Sequence, residues 1–283
     1  SDAVVNYTSG SGGTTLTFNY TVSEGHGSSD LDYVSTSALA LNSGSILDAS
    51  GNSASLTLAS PGAANSLGAN AALLVDGVLP TVTAVSSTSN NGSYKFDDTI
   101  PITITFSEAV TVSGTPQLTL ETGLSDAVVN YTSGSGGSTL TFNYTVLSGH
   151  NSSNLDYVSS SALSLNSGSI ADAAGNNATL TLVSPGATAS LGSNKSIVID
   201  GIVPTISIVT STSSDGNYSA GDVIPISILF SESVTVSGTP QLTLETGSSD
   251  AVINYSSGSG SNTLTFNYTI ATGHATSDLD YTA

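Results

Sequence analysis

The chain has 283 residues and a formal net charge of −19, because 21 aspartates and glutamates stand against two basic residues, Lys95 and Lys195. Such a chain cannot neutralise phosphates, so we expect no binding to nucleic acid or to anionic membrane surfaces. Cysteine is absent, which excludes disulfide bonds and exposed thiols. With 38% hydrophobic residues in alternating patterns, the sequence predicts a folded chain rather than a disordered one.

Alternation with a period of two residues predicts β-strands and no helices. On Ile100–Phe106 the even-numbered residues are apolar and are expected to point inward, and Leu140–Val146 shows the same pattern. The predicted strands of residues 76–199, in chain order, are Thr81–Ser86, Ile100–Phe106, Gln117–Glu121, Ala127–Tyr131, Leu140–Val146, Ala162–Leu165, Ala178–Val183 and Ser196–Ile199. The Gly/Ser run Ser133–Gly137 predicts a tight hairpin, because glycine readily adopts positive φ.

The sequence repeats itself at a shift of 124 residues. SDAVVNYTSGSGG begins at Ser1 and at Ser125, and a close variant begins at Ser249. We therefore expect three segments: residues 1–75 as the C-terminal part of one repeat, 76–199 as a complete repeat, and 200–283 as the N-terminal part of a third. Seven or so short strands per repeat indicate tandem immunoglobulin-like β-sandwich modules, an all-β fold.

The acidic residues recur at fixed repeat positions, which a sandwich with alternating strand directions places at the module ends. We expect Glu108 to end the second strand at the end where Asp76 enters, with the DAAGN loop that starts at Asp172 returning to the same end. The set expected at the first junction is Asp30, Asp32, Asp76, Glu108, Asp172 and Asn176. The set expected at the second junction is Asp98, Asp156, Asp200 and Glu232.

Several carboxylates at one junction repel each other unless a cation neutralises them. Ca²⁺ binds six to eight oxygen ligands in flexible geometry, whereas the absence of cysteine and of paired histidines argues against zinc or copper. We therefore expect Ca²⁺ beside Asp76 and again beside Asp200. In the alternative interpretation, Asp and Asn form turns and acidic side chains keep the surface soluble. That alternative best describes Glu121 and Asp126.

Two other repeated features carry weaker signals. The histidines also recur at 124 residues, and we expect them to be surface loop residues, since no nucleophile motif accompanies His26, His150 or His274. Threonine runs such as Thr103/Thr105 are compatible with a flat face that binds sugar or ice, although threonine is also a good strand residue. The acids occur as repeated copies and not as one pocket, so we expect no enzyme.

The order FSEAVTV, GTPQLTLETG, LDY, DAAGN and a linker Asp-Gly resembles the immunoglobulin-like tandem repeats of very large bacterial surface adhesins and biofilm-associated proteins. The resemblance covers the whole chain. It implies calcium near module junctions, secretion and an extender role. The ligand positions that it implies map onto Glu108, Asp156, Asp172, Asn176 and Asp200.

The expected function is thus a structural extender or stalk of a large bacterial adhesin or surface fibre, rigidified by calcium and located at the cell surface or secreted. Its expected partners are the neighbouring repeats and, in a fibre, other copies of the chain. We expect no membrane insertion within these residues. The alternatives are a self-assembling extracellular filament subunit and a carbohydrate- or ice-binding module.

Overall fold

The computed structural model describes residues 2–282, and almost all of their regular structure is β-strand. The helices within these residues are single turns that span Leu67–Asn70 (α1) and Leu191–Asn194 (α2). The chain divides into two compact units, Ser1–Gly201 and Ile202–Ala283. The first unit therefore contains the partial repeat 1–75 together with the complete repeat 76–199.

The N-terminal part of the first unit carries two pairs of short antiparallel strands. These strands are β1 (Tyr7–Ser9), β2 (Thr17–Phe18), β3 (Gly27–Ser28) and β4 (Val75–Asp76). β1 pairs with β2, and β3 pairs with β4, so that Gly27 lies opposite Asp76. The second pair attaches the start of the complete repeat to the partial repeat before it.

The complete repeat folds as a sandwich built largely from one curled sheet. Its strands are β5 (Val82–Ser87), β6 (Gly92–Lys95), β7 (Thr99–Ser113), β8 (Gln117–Glu121), β9 (Ala127–Ser133), β10 (Gly137–Thr145), β11 (Asn151–Ser152), β12 (Asp156–Tyr157), β13 (Leu163–Ser164), β14 (Ser169–Ala171) and β15 (Ile197–Asp200). β5, β7–β10 and β12–β14 form the eight-stranded curled sheet. Within it β9 lies between β8 and β10 and so connects the two halves of the sheet. β15 pairs with β11 and runs parallel to β6. The predicted all-β sandwich is confirmed.

Alternation along β7 and β10 builds the core of this repeat. Neighbours in register across the two strands, such as Ile102 and Phe142, are fully buried. The inward-facing residues of the two segments are Ile100, Ile102, Ile104, Phe106, Leu140, Phe142, Tyr144 and Val146. The prediction of which side chains point inward is therefore confirmed. Threonines occupy the opposite face, where the hydroxyl oxygens of Thr99 and Thr145 lie 3.2 Å apart.

The predicted hairpin between β9 and β10 is also confirmed. Gly134 and Gly136 both have positive φ, at 111° and 87°. A side chain at Gly134 would place its Cβ 2.1 Å from the carbonyl oxygen of Thr139, so the turn requires glycine for space as well as for conformation.

Two predictions about strands are wrong. Glu108 does not end the second strand, because β7 continues to Ser113. Ala178–Val183 forms no continuous strand, because its backbone N–H groups donate to different segments of the chain. The N–H of Thr179 donates to the carbonyl of Pro80, and the N–H of Leu182 donates to the carbonyl of Ser160. β6 was not predicted, since Gly92–Lys95 lacks an alternating apolar pattern.

The second unit repeats the central part of this fold. Its strands are β16 (Ile206–Ser211), β17 (Val223–Val234), β18 (Gln241–Glu245), β19 (Ala251–Ser257), β20 (Ser261–Thr269) and β21 (Asp280–Tyr281). They form a six-stranded sheet in the order β16-β17-β20-β19-β18-β21, which matches β5-β7-β10-β9-β8-β12 of the complete repeat. Its buried residues include Ile226 and Phe266, the counterparts of Ile102 and Phe142.

Candidate metal centre

Separate segments of the first unit bring Asp76, Glu108 and Asp172 together. Asp76 ends β4, which pairs with β3 of the preceding partial repeat. Asp172 directly follows β14, whose last residue Ala171 lies opposite Thr111 on β7. Asp172 is therefore held beside the stretch of β7 that carries Glu108.

Glu108 lies in a bulge of β7. Thr105 pairs with Thr139 and Val110 pairs with Gly137, so four residues of β7 stand against one residue of β10. Bulges bend a strand and redirect its side chains, and they are common next to functional sites. This bulge places an acidic side chain at the point where the pairing of the sheet is interrupted.

The three acids form a compact group. One carboxylate oxygen from each of Asp76, Glu108 and Asp172 lies within 4.8 Å of those from the other two. Asp172 is buried, whereas Asp76 and Glu108 are half-buried. Burial raises the pKa of Glu108, and the negative charges of Asp76 and Asp172 raise it further. The group therefore holds uncompensated negative charge that a bound cation would neutralise.

Asp172 and Asn176 form a closed turn that reaches the linker. The backbone N–H of Asn176 donates to Asp172 Oδ1 at 2.8 Å, and Asn176 Nδ2 donates to Asp172 Oδ2 at 2.7 Å and to the carbonyl of Asp76 at 3.1 Å. Burial alone would raise the pKa of Asp172, but the bonds from Asn176, with those from the backbone of Ala174 and Gly175, outweigh it and lower the pKa. Asn176 thus contributes hydrogen-bond donors to the group, and the oxygen-ligand role that the sequence predicts for it stays a prediction.

The same turn forms in the partial repeat at the N-terminus. Asn52 Nδ2 donates to Asp48 Oδ2 at 2.8 Å, and the bonds from Asn52 lower the pKa of Asp48. Asp48 belongs to no group of three acidic or histidine ligand atoms within residues 2–282. The turn is therefore a local property of its sequence, and Asp172 differs from Asp48 in having Asp76 and Glu108 beside it.

The structure places Asp30 and Asp32 outside this group, against the residues that flank α1. Asp32 Oδ1 accepts from the N–H of Tyr33 and its Oδ2 from the N–H of Gly62, both at 2.9 Å. Asp30 Oδ1 accepts from the N–H of Leu73 at 3.3 Å. Burial would raise the pKa of Asp32, but the hydrogen bonds from Gly62 and Tyr33, with those from Ser66 and Gly68, lower it on balance. Both carboxylates thus bind backbone N–H groups within their own repeat.

Asp156 has the corresponding position in the complete repeat. Its Oδ1 accepts from the N–H of Tyr157 at 2.9 Å and its Oδ2 from the N–H of Gly186 at 2.8 Å. Asp98 closes the turn between β6 and β7, where its Oδ2 accepts from the N–H of Lys95 at 2.9 Å. In the described part of the chain, neither acid joins a group of three ligand atoms.

The two remaining predicted acids lie in different units. Asp200 ends β15, opposite Asn151 on β11 and Lys95 on β6. Glu232 lies on β17 of the second unit, at the repeat position of Glu108. Its Oε1 atom is buried and accepts no hydrogen bond from residues 2–282. A buried acceptor without a donor is rare in folded proteins and often marks a bound ion or water.

The residues that build the sandwich also match a known family. Residues 76–184 match the bacterial Ig-like domain. The search of curated proteins gives no match to this chain. Bacterial Ig-like domains are generally structural modules without catalytic activity, typically outside the cell or at its surface. The complete repeat is therefore similar to this domain over residues 76–184. No helix within residues 2–282 is long and apolar enough to cross a membrane.

Glu24 is an acid close to the metal-binding candidates that the repeat pattern does not predict. An open groove of about 630 Å³ is lined by Glu24, Asp76 and Asn176, among others. The other repeats carry Ser148 and Thr272 at the position of Glu24. A search for acids that recur in every repeat therefore overlooks Glu24, whereas a search for positions where one repeat alone gains a charge would find it.

Proposed function

We propose that the chain is a calcium-stiffened extender segment of a large bacterial surface adhesin or extracellular fibre. The observation that supports this proposal is the meeting of Asp76, Glu108 and Asp172 where one repeat leads into the next. In this role the repeats act as a stalk at the cell surface or in a secreted fibre, and their main partners are one another.

The donor set fits calcium. Ca²⁺ takes its ligands from carboxylates, backbone carbonyls and water, and it tolerates irregular geometry. In this proposal Asp76, Glu108 and Asp172 hold the ion, and Glu24 lines the groove beside them. The chain has only two basic residues to offset its acids, so a positively charged side chain is a poor substitute for a bound metal ion. The Oε1 atom of Glu232, which lies at the repeat position of Glu108 and accepts no hydrogen bond from residues 2–282, supports a cation-binding role for this position.

The origin of the three acids explains how an ion would stiffen the junction. Asp76 belongs to β4, which is paired with the preceding repeat, whereas Glu108 and Asp172 belong to the sandwich that follows. Without a cation these carboxylates repel each other across the junction. An ion bound to all three converts that repulsion into a link between the two repeats, because each repeat then supplies part of its coordination shell.

Stiffness can be measured with pairs of spin labels, since the chain has no native cysteine to interfere. Ser9→Cys and Ser133→Cys place exposed labels at equivalent positions of adjacent repeats. Double electron–electron resonance spectroscopy on the full chain should give a narrower distribution of distances between the two labels in calcium than in chelator. In the Asp172→Asn background the distribution should stay broad in calcium.

A matched control keeps both labels within one sandwich. Ser133→Cys with Ser164→Cys should give the same distribution with calcium and with chelator, because neither label crosses the junction. The stalk mechanism is wrong if the inter-repeat distribution has equal width in calcium and in chelator while the control pair reports a folded domain.

A further inference from the structure

The histidines of the chain share one local arrangement. Each lies near a tyrosine hydroxyl six residues earlier, with Oη to Nδ1 distances of 2.9, 2.9 and 2.8 Å for Tyr20–His26, Tyr144–His150 and Tyr268–His274. The prediction that these are surface loop residues is wrong for His150, which is 5% exposed. Its ring stacks on Tyr144, with centroids 5.8 Å apart. The imidazole is therefore part of the packed domain.

The contacts of His150 fix its charge state. Its Nδ1 atom accepts a hydrogen bond from the backbone N–H of Leu147 at 3.3 Å. An Nδ1 atom that accepts from an N–H carries no proton of its own, so the hydroxyl of Tyr144 must also donate to it, at 2.9 Å. The neutral imidazole, protonated at Nε2, is the form that satisfies both donors.

The loop that these bonds hold in place binds the linker. The N–H of Gly201 donates to the carbonyl of His150 at 2.7 Å, and the N–H of Gly149 donates to the carbonyl of Gly201 at 3.0 Å. We call this pair of hydrogen bonds the glycine clasp. A Cβ atom at Gly201 would lie 2.3 Å from the carbonyl oxygen of Leu147, so only glycine can approach this closely.

The partial repeat at the N-terminus builds the same clasp. Gly77 donates to the carbonyl of His26 and accepts from the N–H of Gly25, both at 2.7 Å. The Nδ1 atom of His26 accepts from the N–H of Ser23 at 3.3 Å. Two copies with matching contacts show that the histidine, its loop and the linker glycine form one repeated device.

We propose that protonation of His150 opens the glycine clasp, so that the complete repeat loosens its hold on Gly201 in mildly acidic medium. A proton on Nδ1 removes the acceptor of the Leu147 N–H and turns the ring nitrogen into a competing donor. The Leu147–His150 loop then loses the bond that shapes it. The inference stands apart from the calcium proposal, because the clasp is made of an imidazole and backbone groups.

The surroundings of His150 allow protons to reach the ring. It lines an open groove of about 460 Å³, and Asp126 lines the same groove. The other titratable neighbours are Tyr144, which stacks on the ring, and Asp200, which precedes Gly201. Burial raises the pKa of Tyr144, so its hydroxyl remains a donor throughout the neutral and acidic range.

The expected direction of the pH effect follows from burial. Burial lowers the pKa of His150, because a charged ring is poorly solvated in the packed domain. An imidazole whose pKa is lower in the folded state stabilises the fold fully above about pH 6.5, its unfolded value, and this contribution is lost as the pH falls through the folded value. Free carboxyl groups titrate about two pH units lower. A comparison of pH 7.5 with pH 5.5 therefore reports on imidazoles and on Glu108, whose pKa is raised, so a change at Gly201 is assigned to the imidazole only where it disappears in His150→Asn.

The test is amide hydrogen exchange by NMR on the full chain in chelator. After correction for the intrinsic pH dependence of exchange, protection of the Gly201 amide should fall about fivefold between pH 7.5 and pH 5.5, the factor that one net hydrogen bond is worth. The side chain of His150→Asn offers an oxygen acceptor near the position of Nδ1 and does not titrate. In this variant the protection of Gly201 should lose its pH dependence.

The wild-type chain provides a measurement that does not depend on any variant folding: the imidazole resonances of His150 and the protection of Gly201 should change with the same midpoint. Protection of Gly201 that is constant between the two pH values in the wild type, or that changes equally in His150→Asn, would overturn the proposal.

Discussion

Glu108 occupies the least favourable electrostatic position in the acidic group. It is half-buried, and Asp76 and Asp172 both add negative charge beside it, so its pKa is raised. The stability that its protonated form provides is fully present below the ordinary carboxyl pKa and is lost as the pH rises through the raised value. At neutral pH and without a cation, the ionised side chain therefore destabilises the domain.

Replacing this carboxylate should have opposite effects with and without calcium. In chelator, Glu108→Gln should raise the midpoint of thermal unfolding by about 1–2 °C, since it removes a partly screened repulsion. In calcium, the same variant should gain less stability from the ion than the wild type does. Asp97→Asn removes an exposed acid at a position with φ of 73°, which Asn tolerates, and should show neither effect. A lower midpoint for Glu108→Gln in chelator would contradict the electrostatic argument.

At the scale of elements, Asp156 organises the long connection that leads through α2 to β15. Asp156 is 8% exposed, and its carboxylate accepts from the N–H groups of Tyr157 and Gly186. Asp156→Ala should therefore lower the free energy of unfolding by about 1–3 kcal/mol, because it leaves the N–H of the buried Tyr157 without an acceptor. Denaturant unfolding should show the same loss in calcium and in chelator. A loss confined to calcium would instead identify Asp156 as an ion ligand.

The comparison of Asp156 with Glu108 shows what sequence pattern can predict. Both acids recur at fixed repeat positions, and both were therefore predicted to be metal ligands. Their environments differ, because Asp156 binds backbone N–H groups whereas Glu108 faces other carboxylates. Which of the two environments an acid meets depends on long-range packing, in this case on the bulge of β7. Alternation does not reveal that bulge, because the even-numbered positions on both sides of it, Phe106 and Val110, are apolar and keep the same period.

The regular strands were predictable because their alternating burial shows directly in the sequence. β7 and β10 bury alternate side chains on one face, so their period is visible in the sequence. Ala178–Val183 also alternates, yet its N–H groups bond to Pro80, Ile170 and Ser160 instead of to one neighbouring strand. Hydrophobic alternation thus predicted burial in this segment but could not predict its hydrogen-bond partners.

For the molecule as a whole, charge and repetition act together. A net charge of −19 with two basic residues gives every repeat the same sign, and adjacent repeats therefore repel. Under the proposed function, a divalent cation held where repeats meet would reduce that repulsion and would couple stiffness to the calcium concentration of the medium. The central claim is that Asp76, Glu108 and Asp172 hold such an ion.

Isothermal titration calorimetry of calcium into the metal-free full chain tests this claim most directly, with Asp172→Asn as the variant and Asp97→Asn as the matched loss of one charge. The account predicts that the wild type and Asp97→Asn bind calcium with the same stoichiometry and that Asp172→Asn binds one ion fewer. A wild-type chain that binds no calcium, or an Asp172→Asn titration that superimposes on that of the wild type, would contradict it.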